Sequence, residues 1–294
     1  MPRKRRRRGC LVFIDTNIFL DFYRMGGERA DRQLAAIERH KDRIIRSDQV
    51  WMEFLKNRQK VILDSIGKLS QPPKVTLPPI VSGYDPARML VQHLGSAEKK
   101  YKEVKRKVES ILKDPSKNDQ VYRSLNRIFS IDGNFYLSRS DRVRYAIRNR
   151  ARKRFVLGYP PRKIGDTSIG DAINWEWIIE CANRSEANTA IILVSRDTDY
   201  GISLGGDTIL NDWLRREFRE RVSRQRPIEL TTRLTDALKR LDEDVSDEDV
   251  KAEEDLIVRS EKESQDRDQR VKHLITALLD AAPDSDAFKG TIFE

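Results

Sequence analysis

Cysteine and histidine are scarce in this chain: Cys10, Cys181 and three histidines are all that 294 residues contain. Neither cysteine lies in a CxxC spacing, and His40, His93 and His273 are scattered through expected helices. A zinc site or a disulfide framework therefore has no residues to build on. The Ser/His/Asp and Cys/His hydrolases fare no better, because no convincing nucleophile motif accompanies the histidines. Both cysteines sit among apolar neighbours and read as buried thiols of a reducing compartment. Long hydrophobic runs are missing too, since no segment approaches the roughly 20 apolar residues of a membrane-spanning helix. The basic N-terminus, Met1 to Arg8, resembles the start of a signal peptide, but Asp15 stops the apolar run that follows before a usable core forms. The expectation is a cytoplasmic chain with no membrane partner. Neither GxGxxG nor GxxxxGK[ST] occurs, which removes the dinucleotide-binding and P-loop readings.

What is present is charge. Charged residues make up 35% and hydrophobic residues 38%, enough for one sizeable core under a heavily solvated surface. The net charge is +10, and it is unevenly spread. Residues 139–163 hold ten Lys or Arg against the single acid Asp141, whereas residues 242–268 hold thirteen acids against four bases. A basic block beside a neutral-to-acidic remainder suits a polyanion, because phosphate contacts release condensed counterions. The plainer reading of the same block is a solvated basic helix. The acidic stretch is either a solvated tail or charged helix, or a segment that folds over the basic face and competes with nucleic acid.

Apolar periodicity predicts strands at Leu11–Ile14, Arg43–Arg46 and Ala190–Val194, with another candidate at 228–230. Helices are expected at 18–23, from Ser47 or Asp48 to about Leu69, at 169–182 and at 207–224. Residues 85–157 read as several charged helices, and 271–279 as a short one. Strands alternating with helices predict an α/β fold with a mainly parallel sheet. The block at about 72–160 reads as a helical insertion in a domain spanning 10–232. A basic arm, 1–9, precedes that domain, and a helical and acidic extension, 233–294, follows it.

Such a sheet collects ligands at the carboxyl ends of its strands. Asp15 directly follows the first strand, and Asp197 follows the third after Ser195 and Arg196. Asp171 opens the helix at 169–182, and Glu53 lies in the first turns of the helix after the second strand. Taken singly, each has an ordinary reading as a turn, cap or solvated residue. Together they would repel strongly without a cation, and oxygen-only ligands select Mg²⁺ or Mn²⁺. The Asp197-Thr-Asp199 triplet also resembles the DxD of glycosyltransferases, though that signal is short and common. Dehalogenase-like phosphatases need an aspartate at position 17, which is Asn.

Val12 to Asn17, with its Asp-Thr-Asn, resembles the opening strand and signature of PIN domains. Gly170 to Glu176 resembles the third-acid segment of the bacterial PIN-like branch. Leu193 to Tyr200 resembles the fourth, where Ser or Thr precedes an acid by two residues. Glu53 stands where these domains carry their second acid. Asp-Thr-Asn alone is a weak signal, whereas the ordered set of four acids is specific.

The resemblance implies a three-layer α/β/α domain that cleaves RNA, or sometimes DNA, with Mg²⁺ or Mn²⁺. It makes Asp15 and Asp171 the direct metal ligands, with Glu53 and Asp197 completing the site. Asn17 and Ser195 would orient the carboxylates, Asp199 would add a further acid, and Asp166 would compete for the role of Asp171. The basic residues Arg142, Arg144, Arg148, Arg150, Arg152, Lys153 and Arg154 would hold the nucleic-acid backbone. Tyr145, Phe155 and Tyr159 would either stack on unpaired bases or pack in the core. A protein regulator and a homodimer are both compatible with such a domain. The competing reading is a non-catalytic nucleic-acid-binding protein on the same fold. Retention of all four acids speaks against it.

Overall fold

The computed structural model describes residues 9–25, 27–67, 69–162, 168–204 and 206–281. Residues 1–8 of the basic arm, Lys163 and Asp166 lie outside the described residues. The chain divides into two compact units, Met1–Val245 and Ser246–Glu294. In chain order the first unit contains β1 (Cys10–Ile14), α1 (Thr16–Asp21), α2 (Gly27–Arg39), β2 (Ile44–Ser47), α3 (Asp48–Gly67) and α4 (Asp85–Lys113). There follow α5 (Pro115–Asn118), α6 (Gln120–Phe129), β3 (Tyr136–Leu137), α7 (Val143–Val156) and α8 (Gly170–Arg184). The unit closes with β4 (Ala190–Val194), β5 (Gly201–Leu204), β6 (Asp207–Leu210), α9 (Asp212–Arg221), β7 (Ile228–Thr231) and α10 (Leu234–Arg240). The described part of the second unit is one helix, α11 (Asp247–Ala281). Three acids fill its first turn and the Ser246 hydroxyl accepts from the Asp249 N–H, so the acid-rich segment, expected as a solvated tail or a charged helix, begins as a well-capped helix. No described helix is long and apolar enough to cross a membrane.

Five strands form one parallel sheet in the order β3-β2-β1-β4-β7, within a three-layer α/β/α sandwich. A parallel sheet is covered on both faces, so its strands are near-continuous apolar runs rather than alternating ones. Val12, Phe13, Ile191, Leu193 and Val194 are accordingly completely buried. The chain runs from β1 outward through β2 to β3, then returns to β4 on the other side of β1 and continues to β7. The boundary between β1 and β4, where Ile14 lies opposite Val194, is therefore the switch point of the sheet. In open parallel sheets a ligand binds at the carboxyl ends of the strands beside the switch point, here β1 and β4.

Helix α8 is buried on almost every side, with Trp175, Trp177, Ile178 and Cys181 all fully covered. A helix apolar all round needs neighbours all round. It finds them in α3, β2 and α7. This redraws the expected insertion at 72–160. Leu125, Ile128, Leu137, Ile147 and Ala151, from α6, β3 and α7, all belong to the central core. Only the segment around α4 behaves as an insertion, with Ala87 the one buried residue among its 29. The far boundary moves as well. Helix α10 packs on β1, β4 and β7, so the compact unit runs past 232 to Val245.

The helix expected over 207–224 begins only at Asp212. Residues 207–210 instead pair antiparallel with β5, from Gly201 opposite Leu210 to Leu204 opposite Asp207. Gly201 permits this pairing, because a Cβ there would collide with the Ile209 carbonyl. Gly206, at φ +92°, supplies the left-handed residue of the turn. Gly201, Ser203 and Gly205 have the spacing of a nucleophile elbow. Yet Ser203 sits exposed in a hairpin, not at a strand-to-helix turn, and carries no hydrolase site.

Candidate metal centre

Asp15 leaves β1 while its N–H still bonds the Val194 carbonyl at 2.9 Å, so the sheet ladder fixes its position. It caps α1, accepting from the Thr16 N–H through Oδ1 at 2.7 Å. Oδ2 accepts from Asn17 Nδ2 at 2.9 Å and from the Ser195 hydroxyl at 2.5 Å. Ser195 Oγ in turn accepts from the Asp197 N–H at 3.0 Å, tying the end of β4 to the end of β1. The orienting role expected of Asn17 and Ser195 thus has bonds to act through. The turn after β4 is wound tightly: the Asp199 N–H reaches Asp197 Oδ1 at 3.2 Å, and the Tyr200 N–H reaches the Asp197 carbonyl at 3.2 Å.

Glu53 arrives from α3. Its Oε1 accepts from Gln49 at 2.7 Å and its Oε2 from the Thr16 hydroxyl at 3.1 Å, which links it to the residue beside Asp15. Gly170 leaves room for this arrangement, because a Cβ would overlap Glu53 Oε1 and approach Gln49 Nε2 to 2.9 Å, so a larger residue would displace those side-chain ends. Glu53 therefore lies against the N-terminus of α8, where a carboxylate is favoured by the helix dipole. Asp171 follows in the first turn of that helix.

Asp171, Asp197 and Asp199 each present a carboxylate oxygen such that all three lie within 4.8 Å of one another. The structure thus gathers Asp199 with Asp171 and Asp197, whereas the oxygens of Asp15 and Glu53 are occupied by the donors just described. Asp15 is 4% exposed, and burial pushes its carboxyl up to about 6 even though Ser195 and the Thr16 N–H oppose the shift. The charges of Asp197 and Glu53 push it further the same way. A divalent cation would relieve this repulsion, and the donor set is all oxygen, the kind that hard cations take. Asn17 Oδ1 and the Tyr200 hydroxyl are buried at this centre without a hydrogen-bond partner among the described residues. Polar atoms left open in this way suit a hydrated ion, whose waters donate and accept.

The seven basic residues expected to hold nucleic acid do not form one surface. Arg154 is 4% exposed and lies between Glu176, at 3.1 Å, and Glu217. It is a buried structural cation and not a phosphate contact. Arg150 bonds Glu176 at 3.0 Å and Glu180 at 3.2 Å, and Arg144 faces Asp48 at 3.5 Å. Burial raises the Glu176 carboxyl, but Arg221 and Arg154 outweigh it and hold the group below the usual range. Arg148 is half-buried. Arg142, Arg152 and Lys153 are exposed, and with Tyr145, 75% exposed, they recur at helical spacing along one face of α7. Tyr159 instead packs on Trp213 with ring centroids 4.9 Å apart, and Phe155 lies under Arg162.

A family model described as PIN domain fits residues 12–200, more than half of the chain. No curated protein and no solved structure matches.

Proposed function

Because the chain belongs to the PIN-domain family, whose members are nucleases that use divalent metal ions, we propose that it is a metal-dependent endoribonuclease. The observation that carries the proposal is the convergence of Asp171, Asp197 and Asp199 beside Asp15 and Glu53 at the switch point of the sheet.

In this reading Asp171, Asp197 and Asp199 hold Mg²⁺ or Mn²⁺, with Asp15 and Glu53 completing the negative field around it. When bound, the ion lowers the pKa of the attacking water and offsets charge developing on the phosphate. The protein's own contribution is arrangement. Ser195, Asn17 and the Thr16 N–H fix both oxygens of Asp15, and Gln49 and the Thr16 hydroxyl fix both oxygens of Glu53. Water attacks phosphorus, the bond to the leaving oxygen breaks, and one product ends in a phosphate monoester while the other ends in a hydroxyl. No side-chain nucleophile is needed. Arg142, Arg152 and Lys153 would steady the phosphate backbone, and the exposed ring of Tyr145 would stack on an unpaired base, which favours single-stranded RNA over a duplex.

Labelled RNA and single-stranded DNA incubated with Mn²⁺, Mg²⁺ or EDTA test the proposal. RNA should be cut with metal and spared in EDTA, and Asp171→Asn or Asp15→Asn should slow cutting at least a hundredfold. Metal-dependent cutting that survives both substitutions would sink the site assignment. Binding without cutting under every condition would favour a non-catalytic nucleic-acid-binding protein.

A further inference from the structure

Tyr200 is fully buried, yet its hydroxyl has no hydrogen-bond partner among the described residues. An unpaired buried hydroxyl carries its full desolvation penalty. Phenylalanine would fill the same space without that penalty, so the oxygen itself calls for an explanation.

The ring cannot swing away to satisfy it. Tyr200 donates its N–H to the Asp197 carbonyl and accepts from the Asn211 N–H at 2.8 Å, which pins the backbone on both sides. The ring packs on Phe13 of β1 with centroids 6.3 Å apart. The hydroxyl so held lies within the electrostatic reach of Asp171, Asp15, Glu53 and Asp197. A phenol hydroxyl is a donor at neutral pH, and this one bonds none of those carboxylates. A donor that stops short of every carboxylate leaves a place for a small molecule that accepts from it and donates to them. Water has that valence.

We propose that the Tyr200 hydroxyl is a positioning group that donates to a water held inside the acidic centre, the water that attacks the phosphodiester. The inference rests on the nuclease reading above. It assigns to this chain a fixed neutral donor that, unlike Ser195, Thr16, Asn17 and Gln49, is not spent on a carboxylate. Such a donor orients the lone pairs of the water while the carboxylates take its protons.

Tyr200→Phe removes the oxygen and keeps the ring. Melting in EDTA should be no lower than that of wild type, since an unsatisfied donor is gone. Mn²⁺ affinity, read by titration calorimetry without nucleic acid, should fall about tenfold, the lower end of what loss of an outer hydrogen bond does to a metal site. On RNA, kcat should fall at least tenfold with KM little changed. A lower melting point in EDTA with unchanged Mn²⁺ affinity and kcat would mean that the hydroxyl is structural. A rise in KM alone would mean that it contacts the substrate and not a water. Either result overturns the inference, as does a variant indistinguishable from wild type. Wild type that neither binds Mn²⁺ nor cuts RNA is a different failure, that of the nuclease reading itself.

Discussion

Asp15 shows most clearly what the centre demands of single residues. Its carboxyl sits at about 6 because burial opposes its charge more than Ser195 and the Thr16 N–H support it. Its folded value therefore exceeds the ordinary 3.8, so the proton is held more tightly in the folded chain. Its contribution to stability is fully present below the unfolded value and is lost as pH rises through about 6. A cation that needs the ionised carboxylate competes with that proton. Mn²⁺ affinity should be flat above about pH 7 and fall by about tenfold for each unit below 6, with Asp15→Asn flattening the profile. A wild-type profile level from pH 5 to 7 would contradict this. At this scale the sequence is legible where an apolar strand ends in an acid, as at Asp15 and Asp197. It is silent about Tyr200, which looks like any core aromatic until its hydroxyl is found without a partner. Arg154 likewise looks like its basic neighbours until Glu176 and Glu217, 22 and 63 positions away, close on it.

Among the elements, α8 joins the centre to the rest of the fold. Its first turn carries Asp171, and further along Glu176 gathers Arg150, Arg154 and Arg221, while Trp175 donates to Glu217. These ion pairs fasten α7 and α9 to α8 and so hold its N-terminus against Glu53. Removing one partner of a buried charge network costs about 3–5 kcal/mol, because the remaining charge stays desolvated. Glu176→Gln should therefore destabilise the protein by about 3 kcal/mol in urea denaturation, the lower end, since Glu217 still faces Arg154 and Arg221. Adding Arg154→Met should recover part of the loss. A change under about 1 kcal/mol would show that the network is dispensable. Elements were readable where their own residues specify them, as with the apolar β1 and β4. They were misread where tertiary contacts decide. Asp207 to Leu210 became a strand because Gly201 admits close pairing, and the two-residue β3 exists only because β2 offers it an edge.

Over the whole molecule, topology does what no local motif does. The order β3-β2-β1-β4-β7 brings acids from positions 15, 53, 171, 197 and 199 to one end of one sheet. That convergence was legible because the carboxyl-edge rule needs only strand order and connection, and both follow from apolar runs separated by helices. The basic block was legible as composition but not as a surface, because pairing with acids from α3, α8 and α9 takes up Arg144, Arg150 and Arg154. The central claim is the cation site, and anomalous diffraction from Mn²⁺-soaked crystals tests it most directly. The account predicts one strong peak in contact with carboxylate oxygens of Asp171, Asp197 and Asp199, at the roughly 2.0–2.2 Å expected for a small hard cation. No peak there at millimolar Mn²⁺, with ordered density for all three side chains, would contradict it.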